Sequence, residues 1–184
     1  GCGATTGRLK GGLGSASFIL SNGIHVGAVM AVNAVGNATG DDLRHFWAGP
    51  FEANSEFGGL GGPQAGLEPH NFKLKNLGPL VEGENTTIGI VATDASLSKA
   101  AAKRLAISAH DGVARALIPS HMPQDGDLIF AAATGSAQRQ LSPTDMAELC
   151  HGASLCVARA IARALYHAEK APNDRLPTWQ DCNR

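Results

Sequence analysis

Gly83-Glu84-Asn85-Thr86-Thr87-Ile88-Gly89-Ile90-Val91-Ala92-Thr93-Asp94-Ala95 is the stretch on which the reading of this chain turns. The apolar and β-branched run from Thr86 to Thr93 predicts a buried strand, and two hydroxyl residues open it directly after an asparagine. If the Asn85-Thr86 bond breaks, Thr86 gains a free α-amine beside its own hydroxyl, a nucleophile that carries its own base. Such an amine has a reference pKa of about 7.7 to 8.0, so near neutral pH a useful fraction is unprotonated and accepts the hydroxyl proton. Taken alone, the spacing is also an ordinary way to leave a loop for a strand, with Thr86 as a capping hydroxyl.

Working outward, Phe18-Ile19-Leu20, Ser21-Asn22-Gly23 and Ile24 to Val32 read as a β-hairpin, with Asn-Gly supplying the positive φ angles of a tight turn. From Gly36 to Glu84 the pattern dissolves into Gly, Pro and Asn, a long loop region leading to the proposed cut, with Gly58 to Pro63 its least structured part. Ser96 to Leu117 predicts a helix opened by Ser96 or Ser98. Leu128 to Ala133 is another apolar strand, and Ser142-Pro143-Thr144-Asp145 starts a helix running to about residue 170. Met146, Leu149, Ala153, Val157, Ile161 and Ala164 recur at helical spacing and mark its core face. Strands in groups followed by covering helices predict an α/β sandwich.

Asp125 and Asp127, separated by Gly126, stand just before the second apolar strand. Residues two apart on an extended chain point to one side, so both carboxylates are placed to serve one site, orienting a hydroxyl and an ammonium. Asp-Gly-Asp is also a common turn. Lys10 lies ahead of the hairpin; near a nucleophile it would stabilise negative charge, and otherwise it is a solvated surface lysine.

Five segments stand in order: Gly1-Cys2-Gly3-Ala4-Thr5-Thr6-Gly7, Lys10-Gly11-Gly12-Leu13-Gly14-Ser15-Ala16-Ser17, Thr86 to Ala95, Ala109-His110-Asp111-Gly112, and Asp125-Gly126-Asp127-Leu128-Ile129-Phe130-Ala131. Together they resemble the self-processing, N-terminal-nucleophile aminopeptidase family of β-peptidyl aminopeptidases and the endo-type 6-aminohexanoate oligomer (nylon oligomer) hydrolase. The Asn85-Thr86 junction is similar to that of the nylon oligomer hydrolase in particular. The resemblance implies a four-layer αββα sandwich and cleavage between Asn85 and Thr86, splitting one hydrolase domain, 1–184, into 1–85 and 86–184. It implies Thr86 as nucleophile, assisted by Lys10, Asp125 and Asp127. Asn33 matches the family's oxyanion donor, but the aromatic that usually follows is here Ala34, which leaves Asn37 as a competitor. It also implies a linear amide or peptide substrate, no cofactor, and a tetramer of processed heterodimers. Family members carry strands and part of the active site ahead of Gly-Cys-Gly, so the N-terminal part of the fold is expected to lie outside this chain.

Bulk properties agree. A net charge of -1 with 17% charged residues cannot neutralise a row of phosphates, which argues against a nucleic-acid partner. No apolar run reaches the length of a membrane span. Cys2, Cys150, Cys156 and Cys182 lack zinc-ligand spacing and suit a reducing, cytoplasmic setting. No metal is expected, and His110, His151 and His167 read as structural. The 23 glycines suggest close backbone packing. Two rivals remain open: an aminopeptidase acting on small peptides or β-peptides, and a non-catalytic assembly protein in which Asn85-Thr86 is never cut.

Overall fold

The computed structural model describes residues 3–63 and 85–184. Four strands form one sheet: β1 (Gly12–Ile19), β2 (His25–Asn33), β3 (Thr86–Thr93) and β4 (Leu128–Ala133). They lie side by side in chain order, β1 and β2 antiparallel, β2 and β3 antiparallel, β3 and β4 parallel. The parallel step needs a crossover, supplied by α1 (Lys99–Ala116). α2 (Pro143–Tyr166) lies beside α1, and α3 (Trp179–Asn183) is a short last turn.

The boundaries follow from local chemistry. Ser98 caps α1 by accepting from Ala101 N, and Ser142 and Asp145 form a reciprocal capping box at α2, with Pro143 in the first turn. α2 stops at Tyr166, four residues before the predicted end. β1 starts at Gly12, six residues before the predicted strand at Phe18, because Gly12 to Ser17 pair with Gly27 to Val32. Positive φ in the hairpin turn belongs to Gly23 alone (+86°) and not to Asn22, whose Oδ1 instead accepts from Ile24 N at 3.1 Å.

Both long helices cover one face of the sheet. On that face Val26, Ala28, Met30, Val32 and Val91 meet Leu149, Val157 and Ile161 of α2 and Leu105 and Val113 of α1, all buried. Each large side chain there stabilises the fold by about 2 kcal/mol. The predicted core face of α2 is buried as expected, but Gly152, Cys156, Ala158, Ala160 and Ala162 are buried too. Close approach is the reason: a Cβ on Gly14 would lie 2.0 Å from Ala160 O, so only glycine lets β1 pass under α2.

The opposite face carries no described element and is apolar. Leu13, Ala31, Ile88 and Leu128 align across the four strands, as do Ser15, Val29, Ile90 and Phe130. Leu13 is 63% exposed and Phe130 56%. The described residues thus form two layers, a helix layer on a mixed sheet, within the α/β class expected.

The region expected as a loose loop is partly core. Phe46, Ala48 and Phe57 are buried, with a 3-10 turn at Gly49–Phe51, and Phe46 stacks on Trp179 at 5.7 Å. Aromatic area fixes a segment that has no strand or helix periodicity to announce it. Residues 64–84, which include the remainder of that region, lie outside the described residues, as does Cys2. Cys156 is buried and Cys150 half-buried, both as free thiols.

Candidate active site

The first residues of β3 occupy the end of the sheet where β2 finishes and β4 has yet to begin. Asn33, the last residue of β2, is the register partner of Thr86, and Asn85 bridges in parallel to Asp125. Strand alternation puts Thr86 on the open apolar face, in line with Ile88 and Ile90, while Thr87 is fully buried on the helix face.

Thr86 Oγ1 donates to Asn85 O at 2.7 Å, so the hydroxyl sits against the carbonyl of its own preceding peptide bond. Gly126 N donates to the same oxygen at 2.9 Å. One carbonyl oxygen therefore receives both a side-chain hydroxyl and a backbone N–H, an arrangement able to stabilise negative charge there. The glycine leaves room for this placement of the hydroxyl: a Cβ on Gly126 would lie 2.8 Å from Thr86 Oγ1, which would have to turn away. Nothing in the Asp-Gly-Asp spacing announces the role of the glycine, whose N–H reaches Asn85 O because Asp125 and Asn85 are bridged.

The two aspartates hold different elements. Asp125 accepts from Val35 N at 3.1 Å and Met122 N at 3.3 Å. Burial pushes its carboxyl above the usual carboxylate range; the Asp127 charge adds to this, and the N–H bonds from Val35 and Met122 only partly oppose it. The Asp127 side chain is 2% exposed, accepts from Thr87 N at 2.9 Å, and pairs with His121 Nδ1 at 3.0 Å. Both therefore adjoin the Asn85–Thr87 backbone, with hydrogen bonds to the chain rather than to the Thr86 hydroxyl.

Lys10 is placed differently from its expected role. Its ammonium donates to Glu169 O at 2.7 Å and pairs with Asp174 at 2.8 Å, and among the described residues no hydrogen bond joins it to Thr86. A lysine 8% exposed must find such partners, and the residues after α2 supply them. Asn33 lies opposite Thr86, and its Oδ1 accepts from Thr5 N at 3.1 Å. Asn37, the competing candidate, bridges to Ile118. His110 packs 5.2 Å from the His121 ring, close to Asp127, where burial, followed by the His121 charge, pushes its pKa down. Among the described residues no cluster of His, Cys, Asp or Glu is arranged to hold a metal, and no described helix is long and apolar enough to cross a membrane.

Residues 1–175 match the profile of peptidase family S58. An uncharacterized aminopeptidase of Mycobacterium tuberculosis is 38% identical over 188 residues, covering 97% of this chain and 54% of that protein. The Mycobacterium leprae counterpart is 39% identical over 189 residues, covering 97% of this chain and 50% of its own length. The chain thus spans about half the length of these relatives. Among solved structures, a Burkholderia sp. beta-aminopeptidase superposes with a TM-score of 0.61 at 22% identity, over 98% of this chain and 51% of that one. The L-aminopeptidase D-Ala-esterase/amidase of Ochrobactrum anthropi, described as a variant of the Ntn hydrolase fold, gives 0.57 at 22% identity over 94% and 46%. These two likenesses concern the fold. The profile match along nearly the whole sequence, together with relatives 38% and 39% identical over 97% of the chain, establishes that the chain belongs to peptidase family S58.

Proposed function

We propose that this chain is part of an N-terminal threonine amidohydrolase that cuts its own Asn85-Thr86 bond and then hydrolyses linear amides, 6-aminohexanoate oligomers among them. The observation that carries this reading is the convergence of Thr86 Oγ1 and Gly126 N on Asn85 O. In maturation Thr86 Oγ1 attacks the Asn85 carbonyl carbon, and the oxyanion forms against Gly126 N–H. The C–N bond then breaks, and the hydroxyl proton ends on the departing Thr86 nitrogen. Water hydrolyses the resulting ester, leaving the Asn85 carboxylate and a Thr86 with free amine and free hydroxyl.

In turnover the amine takes the hydroxyl proton, Thr86 Oγ1 attacks the substrate carbonyl, and the same proton passes to the leaving amine. Water then releases the acyl group. The substrate carbonyl oxygen would take the place of Asn85 O beside Gly126 N–H. Asn33 stands opposite Thr86 as a further donor, Asp127 holds the N–H that follows the nucleophile, and Asp125 ties the segments at Val35 and Met122 to the strand edge beside Asn85. Lys10 would assist through the local field, and only if it leaves Asp174.

Thr86 opens onto the uncovered apolar face. Covering that face with a second sheet, from sequence beyond this half-length match, would complete a four-layer αββα sandwich and bury Ile88, Ile90 and Phe130. Tetramers of cut heterodimers are the assembly this reading expects. The relatives' description as aminopeptidases favours a second reading, removal of N-terminal residues from small peptides or β-peptides. A substrate with a blocked amino end separates the two, because an aminopeptidase requires the free amine.

Mass spectrometry of denatured protein should find pieces corresponding to 1–85 and 86–184. Thr86→Ala should remain one chain and hydrolyse nothing. Normal maturation of Thr86→Ala would move the nucleophile to Thr87 or sink the mechanism.

A further inference from the structure

The loop between α1 and β4 contains a residue that the proposed mechanism has not used. His121 has φ of +56°, a left-handed conformation that costs a non-glycine residue about 1 kcal/mol. The strain is held by one carboxylate oxygen: Asp127 Oδ2 accepts from His121 N at 3.2 Å and lies 3.0 Å from His121 Nδ1. The other oxygen, Asp127 Oδ1, accepts from Thr87 N at 2.9 Å. That N–H belongs to the peptide unit immediately after Thr86, so Asp127 holds the backbone on one side of Thr86 while Gly126 N holds the Asn85 carbonyl on the other, and the two together anchor the Cα from which Thr86 Oγ1 projects.

A carboxylate 2% exposed rotates about its own χ angles unless both oxygens are held. Thr87 N holds one oxygen and His121 the other, through backbone and ring together. Glycine or asparagine would suit the left-handed turn better, so the imidazole is what the turn gains from histidine here. Among the described residues, the charged and titratable neighbours of this pair are Asp125 and His110, and His110 in turn lies in the field of Asp111.

We infer that His121 is a positioning residue: it locks Asp127 on Thr87 N–H and thereby sets the geometry of the Thr86 nucleophile. The inference rests on the reading of Thr86 as nucleophile for its kinetic consequence, but not for its structural one.

The test compares His121→Ala and His121→Asn. Asparagine tolerates the left-handed turn and offers an amide N–H near the place of Nδ1–H. Amide exchange at Thr87, measured in a Thr86→Ala background with Val91 in the middle of β3 as internal reference, should quicken about tenfold in His121→Ala and return to within about twofold in His121→Asn. In the otherwise unaltered protein, His121→Ala should slow Asn85-Thr86 cleavage and lower kcat about tenfold with KM unchanged, and His121→Asn should restore both. Unchanged Thr87 exchange in His121→Ala would overturn the proposal, as would an equal rise at Val91 or failure of His121→Asn to rescue. If the unaltered protein never cuts Asn85-Thr86, the hydrolase reading falls, while Thr87 exchange still decides the positioning role.

Discussion

Two groups of carboxylates sit at opposite edges of the sheet and are stabilised in opposite ways. Beside β1, Glu56 is gripped by Arg159 through Nε and Nη2 and by Arg163 Nη1, while Arg159 Nη1 also caps Ser17 O on the strand's outer edge. Beside β4, among the described residues, Asp125 accepts from backbone N–H groups with His121 acting on it only as a nearby charge, and Asp127 has Thr87 N and the backbone and ring of His121. Burial pushes the Glu56 carboxyl up, but the hydrogen bond and charge of Arg159, with Arg163, outweigh it and leave the group below its usual range. Burial wins at Asp125, with Asp127 adding to it. Cations make a carboxylate a permanent brace. N–H groups hold its geometry without neutralising it, which suits a place where charge must develop and disappear.

Breaking the brace should give the largest effect. Glu56→Gln leaves two half-buried guanidiniums without their counter-charge and should cost about 3 kcal/mol of stability in urea or thermal unfolding. The rate of Asn85-Thr86 cleavage in the folded fraction should be unchanged. Because the Glu56 pKa is lowered in the folded state, its stabilisation is present above the unfolded pKa and disappears as pH falls through the folded one. The gap between Glu56→Gln and the unaltered protein should therefore narrow in acid. A cleavage rate that falls with stability would erase the contrast between the two edges.

Gly126→Ala tests the other edge with little cost to the fold. The new Cβ meets Thr86 Oγ1 at 2.8 Å, and the cheapest relief is rotation of Thr86 about χ1, which takes the hydroxyl off Asn85 O. Self-cleavage should slow about a hundredfold, with the unfolding midpoint nearly unmoved. Cleavage at the normal rate would mean that the hydroxyl position seen beside Asn85 O is irrelevant to maturation.

Local chemistry made most of the fold legible. Ser98, the Ser142 and Asp145 pair, and the apolar run of β4 each announce an element through its own neighbours in sequence. The contact between Asn85 and Thr86 was legible for the same reason, since the hydroxyl and the carbonyl it meets are adjacent in the chain. The partners of Lys10 and the contact of His121 with Asp127 were not. The partners of Lys10, Glu169 and Asp174, are about 160 positions away, and sequence spacing cannot tell a lysine aimed at a nucleophile from one aimed at a helix end. His121 lies in a loop without periodicity, and its relation to Asp127 appears only once the turn has its left-handed φ. The exposure of the sheet's second face among the described residues was hidden for a different reason: Ile88, Ile90 and Phe130 read as core residues, and nothing in their identity separates them from Val91 on the helix face.

The smallest effect expected is a slope rather than a loss. The Asp125 carboxyl is held above its ordinary pKa, chiefly by burial, so the folded protein binds that proton more tightly than the unfolded chain does. Its contribution to stability is fully present below the unfolded pKa of about 3.9 and is lost as pH rises through the folded value, the reverse of Glu56. Asp125→Asn removes the titration while keeping one acceptor for the N–H groups of Val35 and Met122. Loss of the second acceptor lowers stability by an amount that does not depend on pH, so only the slope carries the information. Measured from about pH 4 to pH 6.5, the stability of the unaltered protein minus that of Asp125→Asn should decline as pH rises. A difference that grows with pH would mean that a cation pairs with Asp125, and the two edges would then be braced alike.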